Sequence, residues 1–109
     1  MIALLKANRE DIAAICRTHG VRKLEIFGSA ASGPFNPSTS DLDFVVDFLD
    51  YGPGVALRFT GFAHDMEFLF RRSVDLIFDV KLTNPYFRRA VDSSRELVYD
   101  ASRDSQAAA

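Results

Sequence analysis

The chain has 109 residues, 48% hydrophobic and 26% charged, with 13 basic and 15 acidic residues for a formal net charge of -2. That length suits one domain with a genuine core and leaves no room for a second domain to enclose a large substrate. The composition excludes a disordered chain, the slightly acidic balance argues against a nucleic-acid binder, and no run approaches the roughly 18 apolar residues of a membrane span. The lone cysteine, Cys16, excludes an internal disulfide. With no secretion signal at Met1–Lys6, a cytoplasmic, reducing setting is expected.

Taken in chain order, Asn8 followed by Asp11 reads as an N-cap with its capping-box partner. Ile12, Ile15 and Cys16 recur at helical spacing, which predicts a helix from about Arg9 to His19, stopped by Gly20. His19 reads as a favourable charge at the helix end and Cys16 as core. Val21 to Phe27 predicts a strand with Leu24 and Ile26 on one face, ended by Gly28-Ser29. Gly33 to Ser40 is a loop by composition, with Phe35 exposed in it.

Asp41 to Phe48 predicts a second strand, in which Leu42, Phe44 and Val46 alternate with Asp41, Asp43, Val45 and Asp47. Gly52-Pro53-Gly54 breaks the chain before a helix from Val55 to Phe70, whose stripe is Val55, Phe59, Phe62, Met66 and Leu69. A third strand is expected at Val74–Phe78. Asn84-Pro85 then opens a helix reaching about Ser94, and Leu97–Tyr99 adds a short strand. Ala101 to Ala109 reads as a frayed tail. The expected fold is an α/β mixture: a small mixed or antiparallel sheet flanked by helices, with the helices on one side.

Charge is unevenly spread. Basic pairs occur at Arg22-Lys23, Arg71-Arg72 and Arg88-Arg89, whereas Asp41, Asp43, Asp47 and Asp50 crowd one segment. Residues two apart in a strand share a face, so Asp41 and Asp43 point the same way, their Cα atoms about 6.6 Å apart. Two such carboxylates repel unless a cation lies between them, and hard oxygen donors without a His or Cys cluster favour magnesium or manganese. Alone, Asp-Leu-Asp is more often a solvent-facing strand surface. Asp75 alters that weighing, because it interrupts an apolar run, Val74 to Phe78, and a neighbouring strand carrying one carboxylate completes a ligand set. An edge-strand charge that discourages aggregation is the alternative. At Gly28-Ser29 a strand runs into a tight turn whose amides and hydroxyl suit a phosphate, although such pairs are usually just turns.

These features together resemble one family. Phe27-Gly28-Ser29, eleven residues, then Asp41-Leu42-Asp43-Phe44, with Asp75 as a third acid on a later strand, is similar to the signature of the DNA polymerase beta-type nucleotidyltransferases. The Asn84-Pro85 helix and Leu97-Val98-Tyr99 resemble the end of the minimal nucleotidyltransferases, small stand-alone members of that family. The resemblance implies residues 1–100 as the nucleotidyltransferase domain. It implies magnesium, two ions, on Asp41, Asp43 and Asp75, with Asp75 assisting deprotonation of the attacking hydroxyl. Gly28 and Ser29 would cradle the triphosphate, and AMP would pass from ATP to an acceptor as pyrophosphate leaves. Stand-alone members are often antitoxins paired with a helical HEPN ribonuclease toxin, which implies a tyrosine hydroxyl of that partner as the acceptor. In one departure, Ser32 stands where many minimal members carry arginine, which removes a cation beside the polyphosphate.

Leu57, Gly61, His64 and Phe68 fall together on the second helix, opposite its main stripe, and form a candidate interface unless the chain's own segments cover it. A homo-oligomer is compatible with such a patch. Two other readings stay open: a module that neutralises its partner by contact alone, and a small-molecule (aminoglycoside-type) nucleotidyltransferase, which the short chain suits poorly.

Overall fold

The computed structural model describes residues 2–32 and 41–103; the loop expected at 33–40, with Phe35, and most of the expected tail, 104–109, lie outside the described residues. The element order is α1 (Ala3–Ala7), α2 (Arg9–Thr18), β1 (Val21–Phe27), α3 (Ser29–Ser32), β2 (Leu42–Phe48), α4 (Val55–Phe70), β3 (Val74–Phe78), a 3-10 turn (Asp79–Lys81), α5 (Pro85–Asp92) and β4 (Glu96–Asp100). Among the described residues the strands form one sheet in the order β3-β2-β1-β4. β1 is antiparallel to both β2 and β4, while β2 and β3 are parallel. The parallel pair needs a crossover, and α4 supplies it.

Alternation in β2 sorts the molecule into two faces. Leu42, Phe44, Val46 and Phe48 are all buried and join Leu24, Ile26, Ile12, Cys16, Phe62 and Met66 in the main core under α2 and α4. Burying each such large side chain contributes about 1.5–3 kcal/mol before entropy is counted. Val55, Phe59 and Leu69 of the expected α4 stripe pack partly buried against that core.

The opposite face corrects an expectation, because the helices do not all lie on one side. Val45 and Ile77 point away from the main core and pack with Leu82 and with Val91 of α5, joined by Phe27. The acid-bearing face is therefore half roofed, and α5 is the roof. Asn84 caps that helix as predicted: its Oδ1 accepts from Tyr86 N (2.9 Å) and Phe87 N (3.2 Å).

Two helix-end expectations also change. Asn8 holds the N-cap position of α2, but its side chain makes no capping bond; its Nδ2 donates to Leu4 O at 2.8 Å instead. The reason is α1, a short helix anchored by fully buried Leu5, whose terminal carbonyls take Asn8 first. His19 does cap α2, but its ring also joins that helix to α4. Nε2 lies 2.6 Å from Asp65 Oδ2, and the ring meets Phe62 edge-on.

Candidate active site

The sheet register assembles the site. Phe27 is the Cα partner of Asp43, and Asp43 is the Cα partner of Asp75, so one rung of the sheet reads Phe27–Asp43–Asp75. Asp43 is half-buried between its neighbours, while Asp75 is exposed. Burial pushes the Asp43 carboxyl up to about 6, reinforced by the hydrogen bond that the protonated group donates to the adjacent Asp75, by that group's charge and by the charge of Asp41. No lysine, arginine or histidine among the described residues pairs with Asp43 or Asp75. Two carboxylates in that position must share a proton or a cation.

Asp41 is placed differently. It precedes β2, is exposed, and acts on Asp43 only through its charge. Among the described residues no group of three His, Cys, Asp or Glu side chains converges into a ready metal site. The structure thus brings together Asp43 and Asp75, two of the three expected acids, and leaves Asp41 at the rim beside residues 33–40. Among the described residues the donors are carboxylate oxygens, which fit a hard divalent cation, and burial beside a second acid is what raises the Asp43 pKa.

Gly28 forms the wall of the pair. Its φ of +73° lies in the left-handed region, and a Cβ there would sit 2.8 Å from Asp43 Oδ2, so only glycine fits on both counts. Its N–H donates to Ser94 Oγ at 3.1 Å, a bond between the end of β1 and the turn after α5. The amide expected to face a phosphate is thereby already held by a side chain. Ser29 opens α3, but its side chain, like that of Ser32, lies outside the described residues.

Sequence reasoning missed Ser94 and its neighbour Arg95. Arg95 donates to Glu25 Oε1 (2.8 Å), Asp79 Oδ1 (3.1 Å) and Asp92 Oδ1 (2.6 Å), tying β1, the 3-10 turn and α5 together on this face. Burial lowers its pKa, but the three carboxylates outweigh that and raise it. Asp92 is a local partner of Arg95, three residues away, but Glu25, Asp79 and the Gly28–Ser94 bond are tertiary.

The candidate interface on α4 divides. A Cβ at Gly61 would come 2.9 Å from His19 Cε1, so the space that glycine opens is filled by the chain's own α2. Leu57, His64 and Phe68 remain exposed, and the Arg71 guanidinium lies over the Phe68 ring at 4.8 Å. A cleft of about 470 Å³ between α2 and α4 is lined by Asp11, Ala14, Ile15, Asp65, Phe68, Leu69 and Arg71, and by none of Asp41, Asp43 and Asp75. No helix among the described residues is long and apolar enough to cross a membrane.

Comparison with known proteins agrees with this fold. The polymerase beta nucleotidyltransferase family model matches residues 10–104. A solved structure assigned as a minimal nucleotidyltransferase superposes with a TM-score of 0.69 at 29% identity, covering 84% of this chain and 90% of that one. An MNT antitoxin in complex with a tri-AMPylated HEPN toxin of Shewanella oneidensis gives 0.62 at 15% identity, over 94% and 77% of the two chains. A toxin–antitoxin solved with AMP-PNP gives 0.64 at 18%, over 91% and 78%. None of the curated proteins matches.

Proposed function

Because the chain belongs to the polymerase beta nucleotidyltransferase family, we propose that it transfers AMP from ATP to a tyrosine hydroxyl of a HEPN toxin and so acts as that toxin's antitoxin. The observation that carries the reading is the Asp43–Asp75 pair, with no cationic partner among the described residues and fixed in register on adjacent strands beside Gly28. The likeness to an MNT antitoxin solved with an AMPylated HEPN toxin, and to a toxin–antitoxin solved with AMP-PNP, supports the choice of partner and nucleotide. A cytoplasmic setting follows from that partnership.

Asp41, Asp43 and Asp75 would hold the magnesium ions, which when bound neutralise charge on the attacking and leaving oxygens. The chain's own task is positioning. Parallel strands fix Asp43 and Asp75 side by side on a rigid sheet. Exposed Asp75 is the acid able to receive the tyrosine proton, whereas half-buried Asp43 stays within the site. The bare Cα of Gly28 lets the polyphosphate turn close onto Asp43.

One observation favours a second reading: Ser32 replaces a family arginine and the Gly28 N–H is already bonded, so the chain would neutralise its partner by contact alone. The test is label transfer from α-labelled ATP with magnesium to the co-expressed neighbouring gene product. Labelling that vanishes in Asp41→Ala/Asp43→Ala is the expected result. An unlabelled but neutralised toxin would establish the contact-only reading instead.

A further inference from the structure

Phe27 shares the site rung with the two acids, and its ring belongs to the same face as theirs. Against it stands Phe87, from the first turn of α5, with ring centroids 6.3 Å apart and planes at 83°. An edge-to-face pair leaves one ring free to present its own face outward. Phe87 is 40% exposed, although Val91, one turn on, is 1% exposed. Single exposed apolar residues usually need no explanation. Leu49 and Leu57 are of that kind, whereas Phe87 packs edge-to-face on the rung that carries the acids.

The side on which it lies matters. In the order β3-β2-β1, Asp75 flanks Asp43 on one side, while Phe27 and the Gly28 turn flank it on the other. Asp75 is the acid assigned to the acceptor, so the phenylalanine pair stands on the triphosphate's side. Asn84 accepts from the backbone N–H of Phe87, which fixes the ring's attachment before any ligand arrives. A preset apolar ring with no hydrogen-bonding group of its own offers stacking and little else.

We propose that Phe87, backed by Phe27, is the platform on which the nucleobase of the substrate triphosphate stacks. The inference rests on the transfer reaction proposed above and adds to it the residue that grips the base. Stacking accepts any base because every base has a π-face, so binding differs little between purine triphosphates.

The test compares two magnesium-loaded probes on the full chain by calorimetry: AMP-PNP, which carries a base, and inorganic tripolyphosphate, which does not. In Phe87→Ala and the bulkier, non-aromatic Phe87→Leu, AMP-PNP affinity is expected to fall about tenfold, with tripolyphosphate unchanged. Phe87→Tyr, which keeps the ring, restores it. Equal losses for both probes would make Phe87 mere scaffolding and overturn the proposal, as would no loss for either. A raised KM for the acceptor protein with AMP-PNP binding intact would assign the ring to the partner's tyrosine and overturn it too. A wild-type chain that transfers label while Phe87 variants bind AMP-PNP normally sinks only this inference. A wild-type chain that binds neither probe and labels nothing removes the transfer reaction and this platform together.

Discussion

Asp43 and Asp47 lie on one strand, on one face, one pleat pair apart, and both are half-buried. Their surroundings are opposites. Asp47 accepts from Arg22 and from the Tyr51 hydroxyl, which in turn accepts the Phe48 N–H at 3.1 Å. The Arg22 pKa rises mainly through that hydrogen bond. Among the described residues Asp43 has acids and no cation beside it, and its own pKa rises from burial and from Asp75. A carboxylate with a cation and a hydroxyl around it is structural. One held against a second carboxylate must share a proton or a cation, which is why we propose Asp43 as a metal-site acid.

The sharpest test of this contrast is a pair of substitutions. Asp43→Ala is expected to cut label transfer at least about a thousandfold with no loss of stability, because it removes a repulsion. Asp47→Ala should leave transfer intact but cost about 1–2 kcal/mol in urea unfolding, from the lost charged hydrogen bonds. Equal transfer losses in the two variants would erase the distinction between the two acids.

Next in size is Gly28→Ala. The left-handed backbone alone costs about 1–2 kcal/mol for a residue with a Cβ, and the contact with Asp43 Oδ2 adds displacement of the site, so transfer should fall about a hundredfold. Adding Asp43→Ala should return the contact's share of the lost stability and leave the backbone share. Strict additivity of the two changes in denaturation curves would contradict the contact.

A smaller effect follows from pH. The folded-state pKa of Asp43, about 6, lies above the usual 3.8, so the folded chain binds this proton more tightly than the unfolded one. Stability from the protonated pair is therefore full below about pH 4 and is lost as pH rises through about 6. Without divalent cation the change is on the order of 1 kcal/mol, discounted for the group's partial exposure. Asp43→Asn should flatten it, and magnesium at neutral pH should reverse it. A wild-type profile parallel to that of Asp43→Asn would show that the two carboxyls do not couple. Smallest of all, Ser94→Ala should cost about 0.5–1 kcal/mol by freeing the Gly28 amide, and loss of hydrogen-exchange protection at that amide is the direct readout.

Much of the fold was legible because it is written at short range. The alternation from Leu42 to Phe48 announced a strand with one acidic face, and the bounds of α4 followed from Gly52-Pro53-Gly54 and the apolar stripe. Asn84 capped α5 as its chemistry required, and the order and spacing of Gly28, Asp41, Asp43 and Asp75 pointed to the family later matched over residues 10–104. Each of these is a relation within a few residues, or a pattern repeated along the chain.

What needed the third dimension was every choice between equally good local partners. Asn8 could cap the helix after it or serve the one before, and buried Leu5 decided for the latter. Gly61 opened a space that an outside partner could have used, and His19 took it. Periodicity shows which residues share a face, but not which strand lies next to it or which helix covers it. The register that sets Asp43 beside Asp75, the placing of α5 over that face, and the bond from Gly28 to Ser94 came from packing the two cores together. The sequence determined which acids the chain carries; tertiary packing decided that Asp43 and Asp75 lie side by side on neighbouring strands.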